Sequence, residues 1–369
     1  WYETVKLNYG VDYRDGSYCF DPIPNTWYKM LAILRFWAAK GIDAFRCDMV
    51  EMVPVSFWEW AIPQVKQEAE VLFIAEVYRP ERYRDYLFRG GFDYLYDKVG
   101  LYDTLRAVVR DERPASDIGN CLEANADISP HMLHFLETHD EQRIASPFFA
   151  GDPFRAVPAM ILAATAGTNP LMLYFGQELG ETGMDEEGFS GLDGRTSIYD
   201  YWSLSTLRRW INGNRFDGAR LSSDEQRLRT FYVRLFHITL TEPAFTQGAF
   251  YDLVPANRSC PAFDSRRHYA FFRYHEDGIV LVVTNFSDAE ARVSIRIPAH
   301  AFETCQLPDN VAAQAIDLLT GETALVALTD VCPYAVTLPP HSGKLIKFYF
   351  QNKSSSFPTF LPAGSTCIN

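Results

Sequence analysis

Residues 41–54, GIDAFRCDMVEMVP, carry a short apolar run that ends in charged residues, which predicts a buried β-strand leading into a polar site. We place this strand at Asp43–Asp48. Arg46 and Asp48 stand two residues apart, so both side chains point to the same side of the strand. An arginine beside a carboxylate keeps it ionised and orients it, which makes this pair a candidate for site chemistry.

Predicted helices and strands alternate on both sides of this stretch, between Thr26 and about Phe245. Before the stretch, a helix is predicted over Thr26–Lys40, with Asn25 as its N-cap and Gly41 as its stop. Further strands are predicted at Val71–Val77, Phe92–Tyr96, His134–Thr138 and Leu171–Phe175. Further helices are predicted near Ser56–Ala69, Pro80–Leu87, Gly100–Asp111, Pro153–Ala166 with Asp152 as N-cap, and Ser222–Leu240, where Ser222 and Glu225 have capping-box spacing. This alternation is typical of β/α units around a parallel sheet.

The number of predicted strands limits the choice of architecture. Five strands are three fewer than a closed β/α barrel contains. The pattern alone therefore allows either an open five-stranded sheet or part of a barrel.

After Pro243 the hydrophobic pattern changes to a period of two, which is typical of strands with one buried face. Strands are predicted at Tyr269–His275 and Ile279–Asn285, on either side of a Glu-Asp-Gly turn, and at Leu345–Phe350. We therefore predict three parts: a β/α region over residues 1–245, an all-β domain over residues 246–351 and a flexible tail over residues 352–369.

Composition excludes several classes of protein. With 369 residues, 47% hydrophobic and 22% charged, the chain can bury a full core and fold as a soluble globular protein. No apolar run approaches the roughly 18 residues of a membrane span. The formal charge of −13 argues against a nucleic-acid partner, since phosphate binding needs a basic surface. The sequence has no CxxC spacing for zinc or redox chemistry and no GxGxxG or P-loop for nucleotides. A chain that begins with Trp1 does not reveal a signal peptide, so neither localisation nor oligomeric state is predicted.

Three carboxylates follow predicted strands: Asp48, Glu76 in LFIAEVY and Asp140 in HFLETHDEQR. In parallel β/α folds the carboxyl ends of the strands form the rim that meets substrate. Taken alone, the Arg46/Asp48 pair could equally be a structural salt bridge. Glu76 alone could be a solvated acid, and His139 a buried core histidine. Their joint occurrence at strand ends favours a catalytic site.

These motifs resemble those of the α-amylase family, in the family's order along the chain. GIDAFRCD is similar to the fourth-strand motif GFRxD, FIAEVY to the fifth-strand motif, and FLETHDEQR to the seventh-strand motif, usually FxxNHD. Leu173–Glu178 (LYFGQE) resembles the eighth-strand region and Asp193–Trp202 (DGRTSIYDYW) the loop after it. Asp317–Glu322 (DLLTGE) and Pro339–Lys344 (PPHSGK) resemble parts of the family's C-terminal β-domain. The resemblance covers nearly the whole chain before the tail.

The resemblance implies a fold: part of a TIM-type β/α barrel, about strands 4 to 8, followed by an all-β sandwich domain. The first three barrel units would then lie upstream of Trp1. This leaves open whether the isolated 369-residue chain folds and is active without them.

The resemblance also implies roles for the matched residues. Asp48 corresponds to the nucleophile, Glu76 to the general acid/base and Asp140 to the carboxylate that stabilises the transition state. Arg46 corresponds to the residue that orients Asp48, and His139 to one that binds hydroxyls of the cleaved sugar. A retaining glycosidase needs one ionised and one protonated carboxyl about 5–5.5 Å apart, and burial after an apolar run favours the protonated form of Glu76.

The implied activity is hydrolysis of α-1,4-glucosidic bonds in starch, glycogen or malto-oligosaccharides, through a covalent glycosyl-enzyme intermediate. Two alternatives remain: transfer to a sugar or phosphate acceptor, and a noncatalytic relative that binds glucans. No cofactor or metal ligand is expected in this chain. The resemblance places a structural calcium, if one is bound, in the upstream part.

The chain departs from the family pattern in three places. Thr138 stands where Asn usually precedes His-Asp, and Glu51 and Met52 follow Asp48 where many starch amylases have Lys-His. We therefore expect different contacts on the leaving-group side of the site. The third-strand motif DxVxNH is absent, and nothing before Trp27 replaces it.

Other charged residues are weaker candidates. Glu178, Glu181 and the acids at 185–187 form an acidic loop, which is usually a solvated face but could contact substrate or a cation. Arg143 and Arg195 could bind substrate, although a structural ion pair is the favoured interpretation.

Overall fold

The first half of the fold is built on four short parallel strands. The structure is a computed structural model, and it describes residues 5–184, 192–196, 198 and 204–350. The strands of the chain are β1 (Ala44–Cys47), β2 (Leu72–Ala75), β3 (Tyr94–Tyr96), β4 (Met132–Leu133), β5 (Ala249–Asp252), β6 (His268–His275), β7 (Gly278–Asn285), β8 (Ala291–Ile295), β9 (Ala312–Asp317), β10 (Thr323–Ala327), β11 (Tyr334–Leu338) and β12 (Ser342–Phe350).

The α-helices are α1 (Asn25–Ala38), α2 (Val55–Lys66), α3 (Asp103–Val109), α4 (Asp117–Ala124), α5 (Val157–Thr165), α6 (Ser205–Ile211), α7 (Ser223–Thr241), α8 (Pro243–Thr246), α9 (Val254–Asn257) and α10 (Ala299–Thr304). Shorter 3₁₀ or π-helical turns occupy Val50–Met52, Pro80–Arg82, Asp85–Arg89, Lys98–Tyr102, Ser129–His131, Pro153–Ala156 and Gln177–Leu179. The predicted helices near 80–87 and 100–111 are thus partly formed as tighter or wider turns.

The parallel sheet has the order β1-β2-β3-β4, with Arg46 opposite Ile74 and Leu95 opposite Met132. A single parallel bridge, His134 to Leu171, extends it. The predicted strand at Leu171–Phe175 is therefore wrong beyond its first residue. In the described part of the chain, this segment has a partner on one side only, and Gly176 (φ 82°) then turns the backbone.

Helix ends follow local sequence signals, with one exception. The N-cap predictions at Asp152 and Ser222 are confirmed: Asp152 accepts the N–H of Phe154 at 2.9 Å, and Ser222 begins a complete capping box. The prediction of Asn25 as N-cap is wrong, because Asn25 is the first residue of α1 and Pro24 precedes it without a side-chain cap. Proline suits such a position because it has no N–H to satisfy.

The second half is an antiparallel β domain, as predicted. Six strands pair in the order β10-β9-β12-β7-β6-β5, and β11 pairs with β8 in a separate ladder. Strand β12 lies close to α5: a Cβ added at Gly343 would lie 2.8 Å from Cδ1 of Ile161. Only glycine permits this approach.

One hydrophobic cluster runs through both halves of the chain, from Leu101 and Leu162 to Leu281 and Ile346. A second cluster lies around α1, α2 and the strands β1 to β3. The predicted boundary at residues 245 and 246 falls inside α8, and the division into domains there stays a prediction. The predicted flexible tail lies outside the described residues. No described helix is long and apolar enough to cross a bilayer.

Candidate active site

The ends of β1 and β2 bring three predicted site residues into contact. Arg46 lies on β1, Asp48 follows it, and Glu76 directly follows β2. Arg46 Nη1 lies 2.5 Å from Asp48 Oδ1, and its Nη2 lies 3.0 Å from Glu76 Oε1. One guanidinium thus pairs with both carboxylates, because parallel neighbours end at the same edge of the sheet.

The two carboxylates differ sharply in exposure. The side chain of Asp48 is 71% exposed, whereas that of Glu76 is 4% exposed. Glu76 accepts hydrogen bonds from the Tyr78 hydroxyl at 2.7 Å and from the Met49 amide at 2.8 Å. Both oxygens of this buried carboxyl group therefore have polar partners.

Asp140 and His139 lie beyond β4, in the segment that follows the His134 bridge. His139 Nε2 lies 3.1 Å from Asp140 Oδ2, and the Asp140 amide donates to Thr138 Oγ1 at 3.1 Å. Asp140 and Glu76 both influence Tyr78. The pKa of Tyr78 is raised by burial, by its hydrogen bond to Glu76, and by the charges of Glu76 and Asp140.

Sequence reasoning missed the tyrosines that connect these groups. Tyr78 stands two residues after Glu76, so the same-side spacing that identified Arg46 could have found it. Tyr96, at the end of β3, accepts a hydrogen bond from Arg46 Nε at 3.3 Å, and its ring centroid lies 5.2 Å from the guanidinium carbon. Burial alone lowers the pKa of Arg46, and Tyr96, Asp48 and Glu76 together raise it above its ordinary value.

Glu51 and Met52, which depart from the family pattern, have separate roles in the structure. Glu51 accepts the N–H of Tyr78 at 2.8 Å and pairs with Arg79 Nε at 2.7 Å, so it ties the loop after β1 to the loop after β2. Met52 is 52% exposed, and its carbonyl accepts the Tyr13 hydroxyl at 2.7 Å. Of the two, only Met52 presents its side chain to solvent.

Met49 has an unusual backbone conformation beside these groups. Its φ of 43° lies in the left-handed region, which costs a non-glycine residue about 1 kcal/mol. This conformation accompanies the Met49 hydrogen bond to Glu76. Strain kept at such a contact is typical of functional sites.

Three of the weaker candidates, Glu181, Arg143 and Arg195, have structural partners. Glu181 is buried and accepts the amides of Thr182 and Gly183, so the expectation of a solvated acid is wrong there. The acids at 185–187 lie outside the described residues. Arg143 pairs with Glu137, and Arg195 with Asp193, as the favoured interpretation predicted.

One group in the described part of the chain has the spacing of a metal site: His275, Glu276 and Asp277, whose ligand atoms lie within 4.8 Å of one another. It occupies the exposed tip of the β6–β7 hairpin, in the β domain. Exposed acidic groups of this kind are common without a metal.

Comparisons with known proteins agree with the resemblance in the motifs. No family model matches the sequence. The chain is 26% identical over 312 residues to alpha-1,4-glucan:maltose-1-phosphate maltosyltransferase of Cereibacter sphaeroides, covering 81% of this chain and 40% of that protein. It is 25% identical over 288 residues to alpha-amylase 3 of Dictyoglomus thermophilum, covering 72% and 54%. An Anoxybacillus alpha-amylase structure superposes with a TM-score of 0.66 at 16% identity, over 91% of this chain and 65% of the other.

The chain is similar to members of the α-amylase family, in agreement with its motifs. Its general fold, β/α units followed by a β domain, is that of solved alpha-amylases. The structure of AmyP in complex with maltose also superposes, with a TM-score of 0.63 at 15% identity, over 91% of this chain and 71% of that one. The chain spans 40% of the length of the C. sphaeroides maltosyltransferase. The assignment of its strands to positions 4 to 8 of a barrel stays a prediction.

Proposed function

We propose that this chain carries the catalytic carboxylates of a retaining α-glucan enzyme that cleaves α-1,4-glucosidic bonds by double displacement. The observation that carries the proposal is the shared contact of Arg46 with Asp48 and Glu76 at neighbouring strand ends. Retaining enzymes need two carboxyl groups close together with different protonation states.

Asp48 is the proposed nucleophile. Its contact with Arg46 orients the carboxyl group, and its exposure leaves the free oxygen accessible to a sugar. In the first step a carboxylate oxygen of Asp48 bonds to the anomeric carbon, and the bond from that carbon to the glycosidic oxygen breaks. The chain segment that leaves takes a proton at that oxygen.

Glu76 is the proposed source of that proton. Its carboxyl group is buried, and it contacts the same arginine as Asp48. In the second step Glu76 removes a proton from the incoming hydroxyl, which then bonds to the anomeric carbon and releases Asp48. No cofactor is proposed, because the two carboxyl groups supply both the nucleophile and the proton transfers.

Asp140 and His139 are proposed to bind sugar hydroxyls and to stabilise the positive charge that develops at the anomeric carbon. Asp140 is 43% exposed and His139 20% exposed, so both can reach a ligand. Their mutual contact holds them as one unit.

Hydrolysis and transfer share the first step and differ only in what attacks the intermediate. Hydrolysis was the first expectation from the sequence. Similarity to proteins named alpha-1,4-glucan:maltose-1-phosphate maltosyltransferase supports transfer as an equal candidate, with an α-glucan or a phosphorylated maltose as the other reactant. Starch, glycogen and malto-oligosaccharides remain the proposed substrates.

Proton NMR of maltoheptaose tests the reaction and its stereochemistry together. The 369-residue chain is assayed beside the same chain extended at its amino terminus by its own coding sequence, each with and without inorganic phosphate. New α-anomer signals from either protein support retaining cleavage, and β-anomer signals would overturn it. A phosphate-dependent ³¹P signal of a sugar 1-phosphate would favour transfer over hydrolysis. Glucan binding without turnover in both samples would favour the noncatalytic alternative.

A further inference from the structure

A buried ion pair closes the base of the segment that carries His139 and Asp140. Glu137 and Arg143 are 1% and 0% exposed, and Arg143 Nη1 lies 2.7 Å from Glu137 Oε2. The other oxygen, Oε1, accepts the N–H of Ile144 at 2.7 Å. Glu137 therefore binds both residues at the far end of the segment, which leaves His139 and Asp140 at its tip.

Arg143 also binds a second segment, residues 192–196. Its Nε donates to Thr196 Oγ1 at 2.7 Å, and its backbone N–H donates to the Gly194 carbonyl at 2.6 Å. The guanidinium carbon lies 4.2 Å from the ring centroid of Tyr174, whose hydroxyl donates to the Thr196 carbonyl at 2.7 Å. One arginine thus connects the Asp140 segment, Tyr174 and residues 192–196.

Close backbone contacts fix the second segment in place. A Cβ added at Gly194 would lie 2.7 Å from Ser146 Oγ, and one added at Gly183 would lie 2.8 Å from the carbonyl carbon of Gly194. Both glycines have positive φ, at 77° and 59°. The segment passes between its neighbours without room for a side chain at either position.

The energetics of the pair favour a role in orientation over one in stability. Removing two charges from water costs several kcal/mol per ion, and hydrophobic replacement of such a pair is often neutral or stabilising. Arg143 Nη2 is buried without a hydrogen-bond acceptor in the described part of the chain, so the desolvation is only partly compensated. Burial raises the pKa of Glu137, and Arg143 and the Ile144 amide oppose that rise.

We infer that Glu137 and Arg143 are positioning residues, which set His139 and Asp140 relative to Tyr174 and residues 192–196. This inference rests on the proposed function of Asp140. The pair acts through that carboxylate and does not itself touch substrate. Its loss shifts the Asp140 segment, and a misplacement of about 1 Å can cost about 100-fold in rate.

The double variant Glu137→Leu/Arg143→Met removes both charges and leaves no unpaired ion. We expect it to unfold within a few degrees of the wild-type midpoint while kcat on maltoheptaose falls about 100-fold and KM changes little. Arg84→Met is the matched control, since Arg84 forms an exposed pair with Asp127. We expect this control to keep wild-type kcat. A folded double variant with wild-type kcat would overturn the inference.

A second variant and a spectroscopic signal cover the other outcomes. Thr196→Val keeps the Glu137–Arg143 pair and removes only the acceptor for Arg143 Nε. This variant therefore tests the positioning role if the double variant does not fold. We expect about a 10-fold loss of kcat at an unchanged midpoint. The ¹⁵N signals of the His139 ring should move in either variant, and an unchanged ring spectrum contradicts the inference. If neither the 369-residue chain nor its extended form turns over maltoheptaose, the proposed function fails, and the ring spectrum alone tests the positioning role.

Discussion

At the scale of single residues, the site is defined by how two carboxyl groups share one arginine. Asp48 is open to solvent, whereas Glu76 is buried and receives donors from Tyr78 and Met49. This difference in surroundings supports the proposed division between nucleophile and acid/base.

Removing the Tyr78 hydroxyl should slow the reaction. Tyr78 donates to Glu76 Oε1 at 2.7 Å and so orients its carboxyl group. In Tyr78→Phe the carboxyl group loses this donor, and we expect kcat on maltoheptaose to fall about 10-fold. Tyr94→Phe makes the same chemical change at a hydroxyl that donates to neither carboxylate, and its kcat should match the wild type. A wild-type kcat in Tyr78→Phe would remove Tyr78 from the mechanism.

The sequence predicted the charged members of the site but not their connections. The contact of Arg46 with Asp48 follows from a spacing of two on one strand, and the structure confirms it. The contact of Arg46 with Glu76 and Tyr96 depends on the register between β1, β2 and β3, which one strand's pattern does not determine. Spatial neighbours on separate strands become visible only in the fold.

At the scale of secondary-structure elements, helix α7 shows how a local signal specifies an end. Ser222 Oγ accepts the N–H of Glu225 at 3.2 Å, and Glu225 Oε2 accepts the N–H of Ser222 at 2.8 Å. Arg209 from α6 pairs with the same glutamate at 3.0 Å through its Nε. The capping box therefore also joins two helices.

Replacing the capping serine should destabilise the fold. Ser222→Ala removes the acceptor for the Glu225 amide, so the free energy of unfolding should fall by about 1 kcal/mol in urea titrations. Ser223→Ala is the matched control, because Ser223 is the first residue within the helix and contributes no cap. Equal unfolding midpoints for the two variants would mean that the box adds nothing measurable.

Other elements show where local pattern stops being informative. The segment Leu171–Phe175 is a continuous apolar run, as in a buried strand, yet it forms only the bridge at Leu171. Leu173 and Phe175 are 38% and 41% exposed, since no described strand pairs with the far side of this segment. Strand formation needs a partner, and the sequence of one segment cannot provide it.

At the scale of the whole molecule, the two halves of the chain are joined by packing and by charge. The larger hydrophobic cluster extends from the helices of the first half into the β domain. Arg273 on β6 is 1% exposed and donates to the carbonyls of Ala244 and Gly248, at 3.1 and 2.6 Å. Lys347 on β12 pairs with Glu242 at 2.9 Å, and both side chains are 11% exposed. We therefore expect the halves to unfold together.

Breaking the Lys347–Glu242 pair tests this coupling. Lys347→Met leaves the Glu242 carboxylate largely buried without its partner, which should cost about 3 kcal/mol. All seven tryptophans precede Phe245, so tryptophan fluorescence in urea reports on the first half alone. An equal loss of stability in that signal and in total secondary structure by circular dichroism indicates one cooperative unit.

Lys344→Met, on the same strand but in a more exposed pair with Glu322, should cost less than about 1 kcal/mol. A fluorescence transition that stays at the wild-type midpoint in Lys347→Met would show independent halves.

The most direct test of the central claim is to trap the sugar on Asp48. In Glu76→Gln, α-maltosyl fluoride can still react because fluoride leaves without a proton, but the second step lacks its base. Mass spectrometry of the digested protein should then find a maltosyl adduct on the peptide that contains Asp48, and none in Asp48→Asn/Glu76→Gln. An adduct on Asp140 or on another residue would contradict the account. So would the absence of any adduct when the wild-type chain turns over the same fluoride.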